Sequence, residues 1–126
     1  MKYVEAAKEI SARLRGEPDD LAAAAAMHLA CEAWKILAGS DIAWDRFGLE
    51  LLDLRARLYS DHREVVVQAE APIRDDAETR LAVTGMVELL ARYHERCAVD
   101  ERFELARRLS HDAGAQQLRR AAAALG

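Results

Sequence analysis

Apolar residues recur along most of this chain at the three- and four-residue intervals of an amphipathic helix. Tyr3, Ala7, Ile10 and Leu14 place one stripe on a first helix, which Gly16 and Pro18 end. Asp19 or Asp20 caps a second helix reaching about Ala38, where Gly39 stops it. Ser40 or Asp41 opens a third, carrying Trp44, Phe47, Leu51, Leu54 and Leu58 at heptad-like spacing. An interruption is expected at Ser60–Asp61, where Asp61 and Glu64 match a capping box. The helical pattern then resumes through Val65, Val66 and Val67 to Pro72. That valine run is the one segment with strand character, and helix is the preferred reading. Asp75 or Asp76 caps a fourth helix to about Cys97, Asp100 opens a fifth, and Ser110–Gly114 reads as a break before a last alanine-rich helix. The pattern therefore predicts an all-α, single-domain antiparallel bundle of five to six helices spanning residues 1–126.

The third segment departs from simple amphipathicity. Projected at about 100° per residue, it shows a narrow polar stripe and two apolar ones. Trp44, Phe47, Leu51, Leu54, Leu58 and Val65 form the first, and Ile42, Leu49, Leu52, Ala56, Tyr59, Val66 and Val67 the second. A surface helix needs only one apolar face. The surplus is explained if this helix is central to its own bundle, or if the second stripe meets another protein. Leu49, Leu52, Tyr59 and Val66 are accordingly candidate interface residues, with Leu81 and Gly85 of the fourth helix as counterparts. A glycine inside a helix costs roughly 1 kcal/mol relative to alanine, so Gly85 marks either a tolerated site or a close backbone approach.

Composition supports the helical reading. The 126 residues include 26 Ala and 16 Leu but no Asn, two Thr and two Pro, so the β-branched and turn chemistry of a sheet-rich fold is scarce. A net charge of −4 argues against general nucleic-acid or anionic-membrane binding. The longest apolar run, Leu21–Met27, is too short to span a bilayer, and the acidic N-terminal stretch does not resemble a signal peptide. Two cysteines without framework spacing point to a reducing, cytoplasmic setting. No phosphate-cradling glycine loop is present, and no cofactor is expected.

His28 precedes Cys31 by three residues and His94 precedes Cys97 by three, so two facing helices could offer a tetrahedral His₂Cys₂ metal site. Cys97 projects onto the apolar stripe of its helix, which favours a buried thiol over a ligand. Arg57-Leu-Tyr-Ser-Asp-His62 resembles the Arg-x4-His signature of HEPN-type helical ribonucleases, with Leu58 where a polar residue often follows the arginine. The resemblance covers six residues and implies His62 as acid/base and Arg57 as phosphate stabiliser in RNA cleavage across a dimer. Residues 101–126, with five Arg and three acids, suggest a degenerate helix-turn-helix carrying Arg119 and Arg120. The pattern as a whole points to a protein–protein interaction module, homodimeric or bound to a heterologous partner: an adaptor, regulator or accessory subunit rather than an enzyme.

Overall fold

The computed structural model describes residues 1–59, 67, 69–72 and 74–126, and its regular structure is entirely helical. Among the described residues five helices follow one another: α1 Tyr3–Gly16, α2 Asp20–Leu37, α3 Ile42–Leu58, α4 Ala77–Ala98 and α5 Leu105–Leu125. Aspartates open three of them. Asp19, Asp41 and Asp76 each accept a hydrogen bond from a first-turn backbone N–H, satisfying donors that the helix itself leaves unpaired. Gly39 closes the α2–α3 joint at φ 87°, a left-handed conformation that a side chain would resist.

α2 and α4 occupy the middle of the bundle. α2 packs against α1, α3 and α4, and α4 packs against α1, α2 and α5. Ala22 to Met27 are buried without interruption, as expected of a helix surrounded by others. Their small side chains let neighbouring backbones come close. Larger side chains fill the space beyond: Trp44, Phe47, Leu51 and Leu54 from α3, Val83, Met86, Val87 and Leu90 from α4, and Leu118 from α5. Trp44 meets Phe47 edge-on, with centroids 5.4 Å apart. Tyr93 of α4 reaches Asp20 of α2, while His94 and Arg80 of α4 meet opposite ends of α5. α4 therefore runs antiparallel to α5.

Three sequence expectations are corrected. α3 is peripheral, not central, because among the described helices it packs on α2 and α5 alone. It ends at Leu58, with Tyr59 turning out of the helix at φ −123°, and Val67 and residues 69–72 are not helical. Val66 and most of the valine run lie outside the described residues. The expected break at Ser110–Gly114 does not occur, since α5 is continuous from Leu105 to Leu125. Gly114 is packed rather than terminal: a Cβ there would lie 2.8 Å from Leu54 Cδ1 and 2.9 Å from Leu58 Cδ1. The glycine admits α3 against α5.

Candidate functional site

The surplus apolar stripe of α3 survives as an outward face. Trp44, Phe47, Leu51 and Leu54 turn one side of the helix into the core. About half a turn away stand Ile42, Leu49, Leu52 and Ala56, all exposed, with Leu49 retaining 72% of its surface. One flank of α3 is polar and held to α5: Glu50 pairs with Arg120 at 3.2 Å, and Asp53 and Arg57 both bond Gln117. On the other flank the indole of Trp34 lies across Gly48. A peripheral helix that is polar along one edge and apolar at its solvent pole inverts the usual arrangement.

The other expected interface residues do not join that face. Tyr59 is half-buried, and its hydroxyl lies 2.7 Å from His94 Nε2, so it belongs to the interior. Leu81 and Gly85 line a groove of about 440 Å³ between α4 and α1, beside Lys8, Ser11 and Leu89. α3 and α4 are not packed against each other, and these two residues share no described surface with Leu49. A Cβ at Gly85 would meet nothing within 4 Å, so no close helix approach requires it.

A second cluster lies where α4 meets α5. His94 Nδ1 and His111 Nδ1 are 2.8 Å apart, with the rings stacked at 5.0 Å. One Nδ1 carries the shared proton and the other accepts it; in either tautomer His111 Nε2 has no partner among the described residues. Phe103 stacks on the far side of His111, and Arg107 sits 4.1 Å above the Phe103 ring. Burial, reinforced by His111, holds His94 down to about 3, and burial with Arg107 nearby lowers His111. Both imidazoles are therefore neutral at pH 7. Asp20, Tyr59, Tyr93 and Arg107 complete a cavity of about 60 Å³, room for water-sized species rather than an organic substrate. Sequence reasoning missed His111 because the expected break removed it from a helix face. With α5 continuous, His111, Gly114, Ala115, Leu118, Ala122 and Leu125 recur at helical spacing on one buried side.

The remaining candidates separate in space. Cys97 lies near Asp20 at the start of α2, whereas Cys31 is eleven residues farther along that helix, about 16 Å away at 1.5 Å per residue. His28, Cys31, His94 and Cys97 thus do not converge, and no group of three metal-binding side chains occurs among the described residues. Cys31 contacts Met27 Sδ at 3.9 Å, and burial pushes both thiols up, away from the reactive thiolate. Arg57 is engaged by Asp53 and Gln117, and His62 lies outside the described residues. Because α5 is continuous from Leu105 to Leu125, the turn expected at Ser110–Gly114 for the helix-turn-helix is absent. Arg119 and Arg120 face Glu95 and Glu50, which offset the basic surplus of the C-terminal segment.

No family model matches this chain, and neither the curated proteins nor the solved structures contain a match. Among the described residues, no helix is long and apolar enough to cross a membrane.

Proposed function

We propose that this protein is an interaction module that self-associates through the outward face of α3. The observation carrying the reading is the exposed row of Ile42, Leu49, Leu52 and Ala56 opposite the helix's own core face. Leaving large aliphatic side chains in water forgoes roughly 1.5–3 kcal/mol for each that could be buried, a gain available on association. Its role is that of a small adaptor, regulator or accessory subunit. Two free, buried thiols accord with a reducing compartment such as the cytoplasm.

Light scattering on the untagged chain tests this directly. The expected mass is about twice 14.0 kDa, falling to the single-chain value in Leu49→Glu and Leu52→Glu. Both positions are solvent-exposed in the single chain, so helical circular dichroism should be retained. A wild-type monomer, or a dimer indifferent to both substitutions, refutes the reading.

A further inference from the structure

We infer that the partner on α3 is a second copy of this chain with its α3 antiparallel, Leu49 packed on the partner's Leu52 and Arg46 beside the partner's Asp53. The inference rests on the self-association reading and adds orientation and charge pairing.

Ile42, Asp45, Leu49, Leu52 and Ala56 follow one another at alternating intervals of three and four residues. That is the seam spacing of two helices wound around each other, and it fits one partner helix rather than a broad surface. The odd member is Asp45, which is exposed and accepts a hydrogen bond from Gly39 N–H at 3.1 Å. In a parallel two-fold pair every seam residue faces its own copy, so Asp45 would meet the partner's Asp45 and two carboxylates would oppose each other across an apolar seam. An antiparallel pair avoids this. When Leu49 packs on the partner's Leu52, Asp45 falls opposite the partner's Ala56, the smallest side chain in the seam, and keeps access to water.

The flanks select the same register. Arg46 and Asp53 lie on one edge of the seam, seven residues apart. In the antiparallel arrangement these edges face each other, and Arg46 of each copy comes beside the partner's Asp53, giving two symmetry-related ion pairs. Shifting the register to bring Leu49 against the partner's Asp45 would instead set Arg46 near the partner's Arg46. Arg46 makes no ion pair among the described residues, and Asp53, although its Oδ2 accepts from both Arg57 and Gln117, keeps 60% of its side-chain surface for a further contact.

Charge exchange tests the arrangement on the full chain. Arg46→Glu alone places Glu beside the partner's Asp53, and Asp53→Lys alone places Lys beside the partner's Arg46. Each should weaken self-association about tenfold by light scattering or sedimentation. An equimolar mixture of the two variants should associate within about threefold of wild type, because both flanking pairs then join opposite charges. The double variant carries the same restored pairs within one chain and keeps the test available if either single variant folds poorly. A wild-type dimer that Leu49→Glu dissociates, but whose charge variants stay equally weak alone, mixed and combined, overturns the antiparallel register while sparing self-association. A monomeric wild type, or a dimer insensitive to Leu49→Glu, overturns both.

Discussion

Gly85 and Gly48 both sit inside helices, yet their surroundings assign them opposite costs. A methyl group at Gly85 enters open space, so Gly85→Ala should gain up to about 1 kcal/mol through helix propensity and a less flexible unfolded chain. At Gly48 the same methyl would stand 1.9 Å from Trp34 Nε1, forcing the indole to move. Gly48→Ala should therefore lose stability, by roughly 1–2 kcal/mol after the propensity gain is subtracted. Urea unfolding of both variants checks the contrast; a stabilised Gly48→Ala would mean that Trp34 is free to swing away. A place inside a helix makes both glycines unusual, but the sequence does not rank them. What separates them is contact with a residue fourteen positions away in one case and none in the other, and spacing along a helix carries no such information.

At the level of elements, α4 and α5 are joined by a buried histidine pair as well as by the more exposed Glu95–Arg119 and Arg80–Leu125 contacts. His94 is neutral in the folded protein with its pKa depressed to about 3, and His111 is shifted in the same direction. In the unfolded chain both return to about 6.5 and take up protons below that pH. Stability linked to the pair is therefore complete above about pH 6.5 and is lost as pH falls toward about 3. Going from pH 7 to pH 5 should cost about 2 kcal/mol for each histidine that stays neutral. The carboxylates held below their ordinary range, Asp41, Asp53, Asp75, Asp76 and Asp100, lose their contribution only at lower pH. Denaturant unfolding at pH 7 and pH 5 should show a steep fall for wild type and a shallower one for His94→Gln; equal slopes would remove the histidine account. The element boundaries of α1, α2 and α4 were legible because glycine, proline and aspartate mark their ends chemically. α5 was misread because Ser110, Asp112 and Gly114 resemble a stop, while the requirement for Gly114 comes from Leu54 and Leu58 on another helix. The outward stripe of α3 was legible as a surplus of apolar positions. Its assignment to the surface required knowing that α3 packs at the edge of the bundle.

Across the whole molecule, Arg80 gathers the ends of three elements. Its guanidinium bonds Asp75 at 2.7 and 2.8 Å, Asp41 at 3.0 Å and the Leu125 carbonyl at 3.4 Å. It thereby links the segment before α4 to the cap of α3 and to the carbonyl end of α5, where helix dipoles favour a cation. Arg80→Met should lower the melting temperature by about 4 °C, the shift expected for a loss on the order of 1 kcal/mol in a domain of this size. An unchanged melting temperature would reduce these contacts to a solvated surface group. The alanine run of α2 has a different consequence. Alanine brings no rotatable side-chain bonds, so Ala22 to Ala26 are buried without loss of rotamer freedom. A row of methyl groups is also nearly smooth, with shallow ridges to resist a neighbour sliding lengthwise. The axial positions of α1 and α4 along it are therefore fixed by long polar side chains reaching α2: the Tyr3 hydroxyl, which donates to the Leu29 carbonyl at 2.6 Å, and the Tyr93 hydroxyl, which donates to Asp20. Two phenols hold in place what the apolar centre leaves free to slip.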